Sequence, residues 1–267
     1  MFTNRFFIFG IVLAVCLSLS CNKKAADSII RPDTDPRAQL PSGAVVWETF
    51  NNTLADTLNS LNALCNGNVS FFSGKVGNAF EFDGYSACSI ASNALLDIRG
   101  SLTVVCWIKL DTALAKQPAY TYYSDYPFIV GKGNGAYTQR NYGLYFDEPR
   151  NLLLFNAIDT SNTTYVFSVI IPSAGNYFDD LQWHLVAAVW DRAQLKASVY
   201  VDGNVVGSTT GHDWPLATNT YPLMIGAGDV GSYMLYGGID ELMLFTRALS
   251  SSEIGKIFAA DSNGCRM

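Results

Sequence analysis

The chain has 267 residues, of which 49% are hydrophobic, 13% aromatic and 15% charged; 17 basic side chains stand against 23 acidic ones, for a net charge of −6. An acidic chain without a basic stripe has no electrostatic means of gripping a phosphate backbone, which excludes nucleic acid as a partner. The six cysteines hold no Cys-x2-Cys pair, so a structural zinc site of that spacing is excluded as well.

The first element is a leader. Arg5 precedes a mostly apolar run of 14 residues, Phe6–Leu19. As a helix this run is roughly 21 Å long, short of the ~30 Å needed to span a hydrocarbon core. It therefore reads as a secretory signal. The run ends in Ser18-Leu19-Ser20-Cys21. This resembles the signal of bacterial lipoproteins, in which the cysteine after the cleavage site becomes the acylated first residue. The resemblance implies that residues 1–20 are removed and that Cys21 is lipidated. Ser20 meets the small-residue requirement, whereas Ser18 departs from the usual aliphatic residue. Several acyl chains hold a protein at a membrane where a single one does not. Asn22, not an aspartate, follows the cysteine, so the expected location is the bacterial cell envelope, at the outer membrane. Removal of Arg5 takes the net charge to −7.

Residues 21–43 form the next unit. Three prolines, mixed charges and little apolar content make them an acylated flexible tether. Residues 44–267 are one compositional unit, large for a domain and normal for a single β-sandwich. Its elements are short runs rich in β-branched and aromatic residues, divided by Gly, Asn, Asp, Ser or Pro. VVWETF, AFEFD, ACSI, LTVVCWIKL, PFIVG, YGLYF, NLLLFNA, YVFSVII, HLVAAVW, KASVYVDG, VVGS, LMIGA and DELMLF follow in chain order. In KASVYVDGNVVGS, Ala197, Val199 and Val201 alternate with polar or amphipathic neighbours, and Asp202-Gly203 supplies a tight hairpin. The one good helix is terminal, SSSEIGKIFAA. Ser250 or Ser251 caps it, Glu253 lies near its positive end, and Ile254, Ile257 and Phe258 form its apolar stripe. The fold class is therefore all-β, a two-sheet antiparallel sandwich with a short C-terminal helix.

Export places the chain in an oxidising compartment. With Cys16 removed and Cys21 acylated, Cys65, Cys88, Cys106 and Cys265 remain, which permit three full pairings. The expected bridge joins Cys65 to Cys265, with Cys88 the next choice. Cys106, inside LTVVCWIKL, is as much a small buried hydrophobe as a bridge partner.

Six stretches in order carry a family resemblance: VVWETFNNTLADTLNSLNALCNGN, GKVGNAFEFDG, SLTVVCWIK, Trp183-His184 with LVAAVWD, VYVDG, and GGIDELMLFTRALSSSEI. They resemble the LamG-like jelly roll of the concanavalin A-like lectin and glucanase superfamily. The resemblance implies two curved antiparallel sheets packed face to face, and either a lectin or a glucanase, since the fold alone does not decide. Glucanase relatives carry Glu-x-Asp followed by a further Glu on one strand. Here the run is Glu81-Phe82-Asp83, with Ser86 where the third acid would stand. Asp240 and Glu241 are adjacent, and adjacent strand residues point to opposite faces. No catalytic residue is therefore expected.

Jelly rolls of this superfamily often hold a structural calcium where the closing strand meets the first. The resemblance makes Asp240, with carbonyl oxygens and side chains around Glu48–Asn52, Glu48 and Asn51 among them, the candidate shell; alternatively Asp240 accepts backbone N–H bonds from a neighbouring loop. The pentraxin branch places an acid cluster after its Ile-Gly strand, whereas Ile225–Tyr233 here holds Asp229 alone.

The candidate ligand surface is aromatic. Tyr120, Tyr122, Tyr123 and Tyr126 lie in QPAYTYYSDYPF, between strands. Such rings stack on sugar faces while their phenol groups bond hydroxyls. Asn134 and Arg140, in a glycine-rich turn, add polar contacts, and His212 and Trp214 lie in an exposed loop. Trp107 and Trp190 read as core, and His184 as a structural hydrogen-bonding residue. The expected function is a surface-anchored, non-catalytic, carbohydrate-binding lipoprotein. The alternatives are an adhesin or assembly module that binds an envelope protein and, more weakly, a hydrolase.

Overall fold

The computed structural model describes residues 41–114, 125–133, 140–161, 164–229 and 232–262. Fifteen strands are found among them: β1 (Ala44–Glu48), β2 (Leu64–Asn66), β3 (Ser70–Ser73), β4 (Asn78–Asp83), β5 (Ala87–Ile90), β6 (Leu102–Leu110), β7 (Phe128–Gly133), β8 (Arg140–Asp147), β9 (Leu152–Ile158), β10 (Tyr165–Pro172), β11 (His184–Asp191), β12 (Lys196–Val201), β13 (Asn204–Thr210), β14 (Leu223–Ile225) and β15 (Tyr236–Phe245). A short helix α1 (Gly175–Phe178) follows β10, and α2 (Ser251–Ser262) follows β15. No helix among the described residues is long and apolar enough to cross a membrane. The leader, Cys21 and most of the tether lie outside the described residues.

The strands form two antiparallel sheets. The first runs β13-β12-β11-β6-β15-β4-β3, with β1 also on β15; the second runs β10-β9-β8-β7-β14-β5-β2. Alternation fixes which side chains meet between them. From the first sheet Val104, Cys106, Ile108, Val186, Ala188 and Leu244 point inward. Tyr142, Leu144, Phe146, Leu153 and Phe155 meet them from the second. The outer face of the first sheet carries Trp107, Val105, Leu185, Met243 and Phe245, which α2 covers with Ile254 and Ile257. Trp107 and Trp190 are both buried, as the sequence implies.

The local signals operate as read. Asp202 and Gly203 both have positive φ, 51° and 78°, which a primed two-residue hairpin turn requires. At the head of α2, Ser250 Oγ accepts from Glu253 N at 3.3 Å, and Glu253 Oε2 accepts from Ser250 N at 2.8 Å, a reciprocal cap. His184 bonds Asp202 and Asp180 through its two ring nitrogens, at 2.8 and 2.9 Å.

The cysteine expectation is corrected. Cys65 is bridged to Cys88, because β2 and β5 pair with these two residues directly opposite. Cys265 lies outside the described residues. Cys106 is a free, buried thiol on the inner face, where burial pushes its pKa upward.

Candidate ligand-binding site

The two adjacent acids of the closing strand sit where that strand changes partners. β15 pairs with β4 through Tyr236–Ile239 and with β1 through Leu242–Phe245. Between these stretches the register with β6 slips, and Glu241 takes a positive φ of 50°. This bulge corrects the alternation expected for the pair. Asp240 stands opposite the outward Trp107. Glu241 accepts a 2.6 Å hydrogen bond from the indole of Trp47, which also lies in the outer cluster. Glu241 is buried rather than solvated. Asp240 Oδ2 accepts from Val76 N at 2.9 Å, so the backbone-capping role is the one displayed. A parallel bond runs from the Trp107 indole to Asp261 of α2, at 2.7 Å. These contacts clamp the 74–77 loop, β1 and α2 onto the first sheet.

The side chains of Asp240 and Glu48 do not share a face of the sheet. Glu48 pairs across β1–β15 with Leu242, an inward core residue, and so lies on the opposite side of the sheet from Asp240. Asn51 Oδ1 is engaged by Asn78 N at 2.7 Å. No group of three His, Cys, Asp or Glu residues able to hold a metal occurs among the described residues. Burial has a clear electrostatic result at both acids. Glu48 is pushed up to about 8 by burial and then by the Asp56 charge, against the pull of the Ala63 backbone N–H. Asp240 is pushed up to about 7 by burial, against the pull of its backbone hydrogen bonds.

The glucanase-like run is diverted too. Glu81 and Asp83 share the outer face of β4, while Phe82 enters the core. Asp83 Oδ1 is occupied by the backbone N–H groups of Tyr85 and Ser86 and by the Ser86 hydroxyl. It shapes the β4–β5 turn. Sequence reasoning passed over a different acid. Glu148, after β8, is pushed up to about 8 by burial and by the charge of Asp125. Its N–H donates to Asp125 O at 2.9 Å.

Of the expected aromatic surface, Tyr120, Tyr122, Tyr123 and Asn134 lie outside the described residues. Tyr126 packs edge-on against Tyr233, with centroids 6.3 Å apart. Tyr233 in turn contacts Phe128, which stacks on Tyr145 at 4.6 Å. Arg140 does not project from a turn as expected. It begins β8, is 4% exposed, and lays its guanidinium 4.6 Å from the Phe128 ring and 4.7 Å from that of Tyr145. Its Nη1 donates to Asn156 Oδ1 at 3.2 Å. Gly131 and Gly143 stand opposite one another beneath these groups, and a Cβ at Gly143 would lie 2.8 Å from Arg140 Cδ. Arg140 thus supports the outer face of the second sheet from within.

His212 and Trp214 are brought together. After β13, a Cβ at Gly211 would lie 2.6 Å from the Trp190 ring, so only a glycine lets the chain cross there. Gly211 N donates to Leu195 O and His212 N to Val166 O, at 2.8 and 2.9 Å. The chain is pinned again at Ala217, whose N–H donates to Ile158 O at 2.9 Å. Between these anchors the Trp214 ring stacks on His212, 4.4 Å between centroids and 18° from parallel, and remains 41% exposed. Asp213, between them, accepts from Arg192 Nε at 2.7 Å. Arg192 N is held by Ser101 Oγ at 3.0 Å. Gly100, Ser101, Arg192, Ala193, Leu195 and Asp213 line an open cleft of about 590 Å³. Trp214, next in the chain to Asp213 but not among the residues lining the cleft, presents an exposed indole face for stacking, while Asp213 and Arg192 supply an acceptor and a donor. Sequence reasoning missed Arg192 because only the fold carries the β11–β12 turn to this loop.

The two antiparallel sheets packed face to face form a concanavalin A-like jelly roll. The family model described as the concanavalin A-like lectin/glucanases superfamily matches residues 82–255, and the chain belongs to that superfamily. Solved structures agree in fold. The binding domain of a paraclostridial mosquitocidal protein is similar with a TM-score of 0.64 and 12% identity, over 81% of this chain and 52% of that one. The botulinum neurotoxin serotype D ligand-binding domain in complex with N-acetylneuraminic acid gives 0.62 and 15%, over 84% and 52%. The botulinum neurotoxin DC binding domain in complex with rat synaptotagmin II gives 0.59 and 14%, over 82% and 52%. The chain spans about half the length of these structures. No curated protein matches it.

Proposed function

We propose that residues 44–267 form a non-catalytic glycan-binding module, held at the outer membrane by an acylated Cys21 and lifted from it by the 21–43 tether. The observation that carries this reading is the exposed Trp214 ring, braced by His212 and next in the chain to Asp213, which lines the cleft with Arg192. A saccharide presents C–H groups to an aromatic face and hydroxyls to flanking polar groups; Trp214 offers the first and the Arg192–Asp213 cleft the second. Tyr120, Tyr122, Tyr123 and Asn134 remain candidates for a second contact area beside Tyr126. A glycan array with the mature chain, and with Trp214→Ala, tests the reading. Binding to one saccharide group that the variant loses supports it; equal retention by both proteins contradicts the assigned site.

A protein ligand is the second reading, favoured by the likeness to a domain solved with rat synaptotagmin II. Pull-down from envelope extracts separates the two, with free saccharide as competitor. Sugar release that is abolished by Glu148→Gln would instead make the domain a hydrolase.

A further inference from the structure

Lys132 of β7 is fully buried, and its environment is unusual for a lysine. Its Nζ lies 2.6 Å from Tyr221 O, 2.9 Å from Asn219 O and 3.0 Å from Asn219 Oδ1. Ser92 Oγ is at 3.3 Å and Asp97 Oδ1 at 3.2 Å. An ammonium group has three N–H donors. Five surrounding oxygens exceed that number, so the group is coordinated from more directions than it can donate. The shell is all oxygen, with one formal negative charge, which is the donor set of a hard monovalent cation. Ammonium and potassium ions are nearly equal in size. Burial lowers the pKa of Lys132, and the charge and hydrogen bond of Asp97 oppose that change.

The shell joins two chain segments. Ser92 and Asp97 precede Gly100 and Ser101, which line the cleft. Asn219 and Tyr221 lie on the segment that leaves Trp214 and returns to β14. Leu216 N and Arg99 O add a 3.4 Å bond between the same segments.

We propose that Lys132 is a tethered cation: its ammonium fills a five-oxygen site that fastens the Trp214 segment to the segment before β6, and the emptied site takes a potassium or ammonium ion. The cage stands whether or not the cleft takes a glycan.

The test is chemical rescue. Mature Lys132→Gly is melted in tetramethylammonium chloride, whose cation is too large for the cage, and then in potassium or ammonium chloride at the same ionic strength. The expected result is a melting temperature several degrees below wild type, at least half recovered in potassium or ammonium, with wild type unmoved. Acrylamide quenching of Trp214, isolated by subtracting a Trp214→Phe background, follows the same order. Absence of recovery with either ion overturns the proposal. If the variant does not fold, the wild type decides through nitrogen-15 NMR of its lysine ammonium groups. A slowly exchanging signal lost in Asp97→Asn supports the cage, and absence of such a signal overturns it.

Discussion

The Glu48 carboxyl gives the sharpest energetic prediction. Both oxygens are buried, and the group is pushed from 4.5 to about 8 by burial and then by Asp56, against the pull of the Ala63 backbone N–H. A raised acid pKa means the folded chain holds a proton that the unfolded chain has released. Stability therefore falls as pH rises between the two values, since the native state binds more protons there. At ~1.4 kcal/mol per pH unit, the gap from 4.5 to about 8 amounts to about 5 kcal/mol as a ceiling. Against a total stability of ~5–15 kcal/mol this is a large effect. Glu48→Gln keeps the shape and removes the titration. Urea unfolding of both mature proteins from pH 5 to 9, with chelator present, reads the difference. The wild type should lose several kcal/mol relative to the variant across that range, and the two should converge near pH 5. Parallel profiles would refute the reasoning. Added calcium provides an internal check. A cation on the Glu48 oxygens requires the ionised form, and would cancel or reverse the wild-type slope while leaving Glu48→Gln unaffected.

Other expectations follow from individual contacts. The hydrogen bond of Asp202, then that of Asp180, holds the His184 imidazolium above its ordinary range despite partial burial. Its contribution is thus complete below the unfolded pKa and lost as pH rises through the folded one; His184→Asn should flatten that part of a stability profile. The Cys65–Cys88 bridge closes a loop with a sequence separation of 23, and a Cys65→Ala/Cys88→Ala double variant should lose about 3 kcal/mol in urea unfolding. Trp107→Phe retains the ring against Phe258 but removes the indole bond to buried Asp261. A hydrogen bond to a charged group is worth about 1.5–3 kcal/mol, and hydrogen exchange in α2 should accelerate accordingly.

The sandwich was legible because alternation and turn chemistry are local. KASVYV followed by Asp202-Gly203 announces a hairpin, and Ser250 with Glu253 announces the start of α2. What stayed hidden depends on which distant strands become neighbours. Cys88 could not be chosen as the partner of Cys65 until β2 and β5 were paired. The Asp240–Glu241 bulge arises because β15 leaves β4 for β1, and no run of residues encodes that exchange by itself. Arg140 reads as a turn residue from its glycine-rich surroundings, yet the Gly131–Gly143 pair leaves space that draws its side chain under Phe128 and Tyr145. Trp214 and His212 were visible as an exposed aromatic pair, whereas Arg192 and Lys132 reach that loop only through the fold.

The central claim, that a saccharide is held by Trp214 together with the neighbouring Arg192–Asp213 pair, is tested most directly by titrating the mature protein with the strongest glycan-array ligand and repeating the titration with Trp214→Ala. A buried tryptophan anchor is worth ~2 kcal/mol or more, so affinity should fall at least tenfold. The variant should keep its far-ultraviolet circular dichroism. Unchanged affinity in a folded variant would contradict the account.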